Sequence, residues 1–383
     1  MYVALPTAKM RQPDAIETVI EHLDLLRQPF LELHPSVRIQ FIPFDEEQLI
    51  WQVRRRTMFG LGPDLILVRD PMALELRRLE LSRPATAPAD LLHQIDPAAI
   101  QRLRQPDGQL AGLPLLLQTE QACFNRRLLP ESPATLGALL QASAVGVPVG
   151  LSLAPRELAW LLGGFGAADA ITAAVRGERP SPQSQAALVR MLQWLADANL
   201  QKQVSVFTSQ EPMLQQFAAG ELAWIPCHSG DLARLRRHLG GDLGVGSLPR
   251  GPSGEATPIN TLMVWAFGRN SSARQRDTAE RWARFSITPT VQRRFTLQTS
   301  GNLPVNLLFP VPVDTSATLR TLETTRQQAS RSPVAEVVRG MDRNQLALMR
   351  RLINDVAFQT MAPGAAAERL VKGLIAGAGT GRP

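Results

Sequence analysis

The sequence is poor in several residue types, and each shortage excludes a class of protein. The only two cysteines, Cys123 and Cys227, are too few for a disulfide scaffold and too isolated for a zinc cluster, and they leave the redox compartment open. Tyr2 is the only tyrosine, which excludes an iron site built from several tyrosinates. The five histidines lack the spacing of metal ligands. We therefore expect no bound metal and no other cofactor.

Long apolar runs are also missing. The run at 110–117 is far shorter than the ~20 residues that a membrane-spanning helix needs. Pro6, Lys9 and Arg11 follow the first five residues closely, so no apolar core of roughly 7 to 15 residues, typical of a secretory leader, is present. Either the protein is cytosolic, or this is a mature sequence whose leader was replaced by Met1.

The charge balance gives little support for a nucleic-acid partner. The sequence has 41 basic and 34 acidic residues, a formal charge of +7, and nearly all of the positive charge is arginine. The densest clusters, at 54–56, 234–237 and 350–351, lack the interleaved aromatic side chains that stack on bases. We interpret them as solvated helix faces and expect no nucleic acid to bind.

Length and patterning predict two α/β units. A chain of 383 residues exceeds the ~250 to 300 residues over which one core usually grows. Val37, Ile39 and Phe41 alternate with polar residues as in a strand that ends at Pro43, and the apolar run at 65–68 predicts a strand buried on both faces. The alternation returns after residue 145, with predicted strands at 145–151, 222–225 and 262–267 and predicted helices at 156–164, 184–199, 211–219 and beyond 315.

Six stretches resemble, in order and spacing, the extracellular solute-binding family that includes the maltose-binding protein and other sugar receptors. The segment at 217–225 is the most specific of them, and Phe124 departs from the family because tyrosine is usual there. The stretches are FLELHPSVRI at 30–39, GPDLIL at 62–67, the hinge segment at 113–130, the block at 146–167, FAAGELAWI at 217–225 and GNLPVN at 301–306.

The resemblance implies a two-lobed α/β fold of the periplasmic-binding-protein type II class. Each lobe would hold a mixed, mostly parallel sheet flanked by helices, with the ligand in a cleft between the lobes. Carried over to this chain, residues 1–116 plus 266–313 would form the N-terminal lobe and residues 117–265 plus 314–383 the C-terminal lobe. The implied location is periplasmic or lipid-anchored extracytoplasmic, with the leader removed.

The resemblance also implies a function and its partners. The protein would be the monomeric receptor of an ABC importer, binding a solute by hinge closure and delivering it to a membrane permease with its ATPase. The expected ligand is small and rich in hydroxyl groups, such as a monosaccharide, a disaccharide or a glucosylated osmolyte. No catalysis is expected.

Polar residues that follow predicted strands are the first candidates for contacts with the ligand, because ligands of open α/β sheets lie beyond the carboxyl ends of the strands. Asp45 follows the second strand, and Arg69 and Asp70 follow the third. Asp70 is the first choice, although capping the helix before Pro71 explains it equally well. Gln118 and Glu120 lie on the presumed hinge strand, where salt bridges at a surface are the alternative.

The remaining candidates come from the second half of the chain and from the tryptophans. Glu157 begins a helix that often contacts the ligand in the family, although stabilising the helix dipole is the alternative. In the loop after residue 227 the family commonly has a tryptophan that this chain lacks. We expect the following further contacts: His228, Ser229 and Asp231 in that loop; Asn260 and Asn302 near the rim; and Trp160, Trp224 and Trp265 as stacking surfaces or, alternatively, as core residues.

Three other functions stay open. His228, Ser229 and Asp231 have the residue types of a hydrolase triad, but neighbours in sequence cannot adopt the relay geometry, and no G-x-S-x-G elbow is present. A metal receptor of the same fold is a closer alternative. A receptor for a polyol or an amino-acid derivative is the third.

Overall fold

Short strands alternate with helices along the chain, in a computed structural model that describes residues 1–378. None of the helices in this range is long and apolar enough to cross a membrane. The strands are β1 (Tyr2–Leu5), β2 (Ile42–Asp45), β3 (Leu65–Arg69), β4 (Ser82–Arg83), β5 (Leu113–Gln118), β6 (Glu120–Asn125), β7 (Val149–Ser152), β8 (Val204–Phe207), β9 (Trp224–His228), β10 (Leu243–Gly246), β11 (Thr261–Gly268) and β12 (Leu303–Pro304).

The helices vary from one turn to twenty-one residues. They are α1 (Thr7–Met10), α2 (Pro13–Leu33), α3 (Glu46–Met58), α4 (Asp70–Arg78), α5 (Ala89–Leu92), α6 (Pro97–Gln101), α7 (Leu136–Ala144), α8 (Pro155–Leu158), α9 (Leu161–Phe165), α10 (Ala168–Val175), α11 (Pro182–Asn199), α12 (Gln210–Ala218), α13 (Leu232–Leu239), α14 (Ala273–Ser286), α15 (Pro289–Thr299), α16 (Ala317–Ser330), α17 (Pro333–Gly340), α18 (Arg343–Ala357) and α19 (Pro363–Ala378).

The chain divides into two units, each built from three separate stretches. Unit 1 contains Met1–Gln118, Gly230–Arg234 and Thr261–Leu319. Unit 2 contains Thr119–Ser229, Leu235–Asn260 and the residues from Arg320 onward. The chain therefore leaves each unit and returns to it.

The sheet of unit 1 is mixed. Its strands follow the order β12-β5-β11-β3-β1-β2, and β4 pairs with β11. Among the described residues, β1 runs parallel to β2 and β3, whereas the four other pairings are antiparallel. The expected majority of parallel pairings is thus not found in this sheet, because β11 returns from a later part of the chain and enters it in the opposite direction.

Two predicted strands of unit 1 had different outcomes. The apolar run at 65–68 forms most of β3, which lies between β1 and β11, and all four residues of the run are buried, so this prediction is confirmed. The strand predicted at 37–41 is wrong, because the strand of this region is β2, at Ile42–Asp45. Pro43, expected to end a strand, lies inside β2. This is tolerated because β2 is at the edge of the sheet, where β1 is its one partner among the described residues.

The sheet of unit 2 has the order β10-β6-β9-β7-β8. Strand β7 runs parallel to β8 and β9, and β6 runs antiparallel to β9 and β10. A disulfide joins Cys123 of β6 to Cys227 of β9, with a Cα–Cα distance of 5.8 Å. Disulfides persist chiefly in oxidising compartments, so the pairing answers a question that the sequence left open and favours a location outside the cytoplasm.

Helices α10, α11, α18 and α19 pack together in unit 2 and supply much of its core. The predicted stripe of α11 is buried as expected at Leu188, Met191, Leu192 and Leu195. This core supports the sheet of unit 2.

Candidate functional site

One edge of the unit 1 sheet gathers polar residues. The carboxyl ends of β1, β2, β3 and β5 meet there, because Leu5 pairs with Asp45, Met263 with Arg69, and Thr261 with Gln118. We call this group of residues the unit 1 edge. It consists of Thr7, Asp45, Glu46, Arg69, Gln118 and Asn302.

Hydrogen bonds fix the orientation of the charged residues at the unit 1 edge. Asp45 is the N-cap of α3, where its carboxylate accepts from the Glu47 N–H at 2.9 Å and from the Thr7 hydroxyl at 2.7 Å. Arg69 donates from Nε to Glu46 at 3.0 Å and forms a second contact with the same carboxylate. Asp45 and Arg69 are therefore brought together, as strand order predicts, and are held in place before any ligand binds.

Asp70 lies behind this edge in a buried ion pair. It is only 5% exposed, and its Oδ2 accepts from Arg102 at 2.9 Å (Nε) and 2.7 Å (Nη2). The expectation that Asp70 caps the helix is wrong, because it is the first residue of α4 and the N-cap is Arg69. Its proposed contact with the ligand stays a prediction, but its first role is to neutralise Arg102.

Gln118 and Asn302 form a hydrogen-bonded pair. The Gln118 amide donates to Asn302 Oδ1 at 2.9 Å. Gly230 packs against Gln118, and a Cβ added there would lie 2.4 Å from Gln118 Nε2. The glycine that stands where the family commonly has tryptophan therefore has a packing reason. Beside it, the buried Asp231 is ion-paired with Lys9.

Unit 2 has a comparable edge, at the carboxyl ends of β7 and β9. Glu120, at the start of β6, pairs in antiparallel register with His228, at the end of β9. Glu157 follows β7 in α8 and is close enough to influence the Glu120 carboxyl electrostatically. The structure thus brings together three residues that the sequence proposed separately, and we call Glu120, Glu157 and His228 the unit 2 edge.

Glu120 has an unusual environment for a carboxyl group. It is 1% exposed, accepts one hydrogen bond, from the Ile259 N–H at 3.3 Å, and has no salt bridge to any residue in 1–378. Burial raises its pKa well above the usual value, the nearby charge of Glu157 raises it further, and the Ile259 N–H opposes both. Glu120 therefore keeps its proton to higher pH than an exposed glutamate, and a protonated carboxyl can both donate to and accept from hydroxyl groups.

Ser229 and Asn260 have structural partners. The Ser229 hydroxyl is buried and accepts from the Thr119 N–H at 3.0 Å, which fixes the turn after β9. The side-chain amide of the buried Asn260 donates to the backbone carbonyl of Arg326 at 3.1 Å. The backbone carbonyl of Asn260 accepts from the Arg339 guanidinium. These bonds give both residues a role in holding the chain, and their contacts with the ligand stay predictions.

The three candidate tryptophans are core residues, which corrects their assignment as stacking surfaces. Trp160, Trp224 and Trp265 are each 0% exposed. Trp224 donates to Ser132 Oγ and Trp265 to Ser286 Oγ, both at 3.0 Å. A ring with no exposed face cannot stack on a sugar. These side chains instead lie on the interior faces of the strands and helices, where they pack in the core.

Sequence reasoning missed several residues of the unit 1 edge and their partners. Thr7 and Lys9 follow β1, the first strand of the chain, which is only four residues long and whose bounds the sequence did not indicate. Glu46 directly follows the candidate Asp45, so the same argument could have found it. Arg102 lies 32 residues after Asp70, and nothing local indicates their pairing. Among residues 1–378, no group of three His, Cys, Asp or Glu side chains is arranged to hold a metal ion.

Comparison with known proteins identifies the family. Residues 26–316 match the family model of bacterial extracellular solute-binding proteins. The match covers more than half of the chain, and the protein belongs to this family. Its fold is the two-lobed α/β fold of sugar-binding receptors.

Individual relatives agree with this assignment. The unliganded and acarbose-bound GacH receptor of Streptomyces glaucescens has 16% identity and a TM-score of 0.76 over 97% of this chain and 96% of that one. The maltotriose-binding protein of Thermus thermophilus has 14% identity and a TM-score of 0.75 over 98% and 99%. The sn-glycerol-3-phosphate-binding periplasmic protein UgpB of Pectobacterium atrosepticum is 27% identical over 121 residues, which is 30% of this chain and 27% of that protein.

Proposed function

We propose that the protein is the solute receptor of an ABC importer, which binds a small carbohydrate or sugar-like compatible solute and delivers it to a membrane permease. Two structural neighbours are described by their complexes with acarbose or maltotriose, which supports a carbohydrate ligand. The proposed location is periplasmic or lipid-anchored extracytoplasmic. The extracellular family and the Cys123–Cys227 disulfide support this location.

The observation that carries the proposal is the polar side chains gathered at a sheet edge in each unit. Carboxylates, a guanidinium and amides orient vicinal hydroxyl groups, and hydrogen bonds within the unit 1 edge already hold Asp45, Arg69 and Gln118. Because Trp160, Trp224 and Trp265 are buried, none of them offers a stacking surface to a long oligosaccharide. A monosaccharide, a disaccharide or a glucosylated osmolyte fits this polar, weakly aromatic set best.

The proposed mechanism is hinge closure. A solute that contacts residues of both units stabilises the conformation in which those contacts are made, and the population shifts toward that conformation. The closed receptor then delivers the solute to the permease and its ATPase. The protein itself performs no chemistry in this scheme, and it acts as a monomer.

A thermal-shift screen identifies the ligand class. The panel contains monosaccharides, disaccharides, polyols and glucosylated osmolytes, with sn-glycerol 3-phosphate included because of the relative that carries its name. A saturating ligand at about 100 times its Kd stabilises the folded protein by ~2.7 kcal/mol, which gives a clear rise in melting temperature. A rise only with sn-glycerol 3-phosphate, or with a metal salt, would replace the carbohydrate by that ligand.

Calorimetry with the best ligand then tests the two edges. Asp45→Asn at the unit 1 edge and Glu157→Gln at the unit 2 edge should each weaken binding by about 1 to 3 kcal/mol, because each removes a charged hydrogen-bonding partner. Glu178→Gln, at an exposed position of unit 2, is the matched control and should bind as the wild type does. Unchanged affinity in both edge variants would remove these edges from the site.

A hydrolase remains the alternative from another class. Generic esterase and glycosidase substrates, incubated with the wild type and with Ser229→Ala, test it directly. Turnover that disappears in the variant would contradict the proposal. We expect no turnover with either protein.

A further inference from the structure

Large apolar side chains are exposed to solvent from the middle of helix α3 to the turn that follows it. Trp51, Met58, Phe59 and Leu61 are 57%, 78%, 72% and 70% exposed. Single exposed apolar residues are ordinary, but four within eleven positions form a patch that asks for an explanation. We call these four residues, together with the arginines at 54–56, the α3 patch.

A defined turn holds the apolar residues in place. Gly60 has a positive φ of 72°, its N–H donates to the Thr57 carbonyl at 3.1 Å, and the Leu61 N–H donates to the Arg56 carbonyl at 2.9 Å. This pair of bonds is the Schellman motif, which closes a helix at a left-handed glycine. Phe59 and Leu61 are therefore displayed by an ordered helix end rather than by a loose loop.

The same helix end is strongly basic. Arg54, Arg55 and Arg56 are all exposed, and none has an ion-pair partner among residues 1–378. The Arg55 guanidinium lies 5.4 Å from the Trp51 ring centroid, and Arg56 lies 5.5 Å from that of Tyr2. The sequence alone suggested a solvated arginine face without aromatic neighbours. The structure corrects this, because the helix brings Trp51 beside Arg55.

The acidic residues of α3 lie at its other end. Glu46 and Glu47 occupy the first turn, and a helix of thirteen residues is ~20 Å long. Since α3 leads from the carboxyl end of β2 back to the start of β3, its basic end lies on the side of the sheet opposite the unit 1 edge. A partner bound to the α3 patch would leave that polar edge uncovered.

We propose that the α3 patch docks on the surface of an anionic phospholipid bilayer. Arginines among tryptophan, phenylalanine and leucine are the chemistry of interfacial membrane contacts, in which basic groups attract anionic headgroups and apolar groups enter the acyl boundary. None of the three arginines has an ion-pair partner among residues 1–378, so the patch carries a positive charge that complements the negative surface of an anionic bilayer. Contact through one short patch is reversible, and it keeps the receptor close to the membrane.

Vesicle flotation tests the proposal with the intact protein. The probes are vesicles of phosphatidylcholine alone and vesicles in which about one third of the lipid is phosphatidylglycerol. We expect binding to the anionic vesicles, loss of most of it at high salt, and at least ~10-fold weaker binding to the neutral ones. Trp160, Trp224, Trp265 and Trp282 are buried and Trp194, in unit 2, is half-buried. Protection of tryptophan fluorescence from acrylamide should therefore come mainly from Trp51, and that part of it should vanish in Trp51→Ser.

Paired variants separate the patch from non-specific attraction. Phe59→Ser/Leu61→Ser and Arg54→Glu/Arg55→Glu should each lower binding to anionic vesicles at least ~10-fold. Leu307→Ser/Leu308→Ser and Arg274→Glu/Arg293→Glu change exposed residues elsewhere in unit 1 and should bind as the wild type does. Unchanged melting temperatures confirm that all four variants fold.

Three results would overturn the proposal. The first is absence of vesicle binding by the wild type, and the second is binding that the control variants lose as strongly as the patch variants do. The third result is that the patch variants keep vesicle binding but lose self-association, or no longer stimulate a permease-coupled ATPase. That result would assign the α3 patch to a protein partner.

Discussion

The two polar edges differ in how their charges are held. At and behind the unit 1 edge, carboxylates face guanidinium groups, as in Arg69–Glu46 and Asp70–Arg102. At the unit 2 edge, Glu120 is buried with a second carboxyl nearby, and within residues 1–378 the Ile259 N–H is its one hydrogen-bond donor. Ion pairs therefore fix the side-chain orientations at the unit 1 edge. At the unit 2 edge, the charge depends on whether the Glu120 carboxyl is protonated.

The units also differ in their covalent framework. Both cysteines of the sequence belong to unit 2, where the disulfide joins neighbouring strands of the sheet behind the edge. Unit 1 relies on packing, hydrogen bonds and ion pairs alone. Substitutions in unit 1 should therefore change stability through packing, hydrogen bonds and ion pairs, whereas in unit 2 the loss of the disulfide should also change it.

The largest effect is expected from removing the disulfide. Cys123→Ala/Cys227→Ala opens a loop closed over 104 residues of sequence, and the added entropy of the unfolded chain should destabilise unit 2 by about 3 to 5 kcal/mol. Urea unfolding followed by a unit 2 probe measures this, and wild type under reducing conditions should match the variant. An unchanged unfolding midpoint would show that the cross-link contributes nothing to the difference between the units.

Breaking the buried ion pair of unit 1 should have the next largest effect. Asp70→Ala leaves Arg102 buried without its carboxylate, which should cost about 3 kcal/mol of stability. The double variant Asp70→Leu/Arg102→Leu removes both charges and should recover most of that loss, as chemical denaturation can show. Equal stability of wild type and Asp70→Ala would mean that the pair does not organise unit 1.

A smaller effect is expected at Gly230. A methyl group there would meet the Gln118 amide, so Gly230→Ala should displace this side chain from Asn302. Because the end of a glutamine side chain moves easily, we expect a loss of only about 1 kcal/mol, the worth of one hydrogen bond. Gly230→Ala combined with Gln118→Ala should cost no more than Gln118→Ala alone. Additive losses in thermal unfolding would contradict this explanation.

The last effect depends on pH and concerns the proton of Glu120. Because its pKa is raised in the folded protein, the stability that its protonated form contributes is present in acid and is lost as pH rises through the folded pKa. Glu120→Gln does not titrate, so its melting temperature relative to wild type should increase from pH 5 to pH 8. Glu178→Gln is the exposed control. A constant difference across this range would show that Glu120 does not titrate as its burial implies.

Local periodicity predicted those parts of the fold that depend on neighbours in sequence. The short run at 65–68, apolar at every position and preceded by Pro63 and Asp64, predicted a strand buried on both faces. The apolar spacing at 184–199 matches the period of a helix and identified α11. The strand near residue 40 was misplaced, because alternation at 37–41 was stronger than at β2 and Pro43 suggested an end. Only its position at the edge of the sheet makes Pro43 acceptable.

The sequence predicted only that part of the candidate site which depends on the local order of residues. The ends of predicted strands correctly pointed to Asp45 and Arg69, which the structure brings together, whereas the tryptophans were chosen for their residue type alone. Burial is a property of the whole packed unit, so sequence could not decide whether Trp160, Trp224 and Trp265 face a ligand or the core.

By itself, the sequence determined the alternation of strands and helices, the absence of a metal-ligand pattern and the resemblance to solute-binding proteins, because these reside in residue order. The tertiary structure alone decided that Asp70 neutralises Arg102, that Cys123 joins Cys227, and that Glu120 lies beside Glu157. Each of these pairs joins residues distant in the chain. Their contact depends on how strands pair and helices pack, which no local pattern encodes.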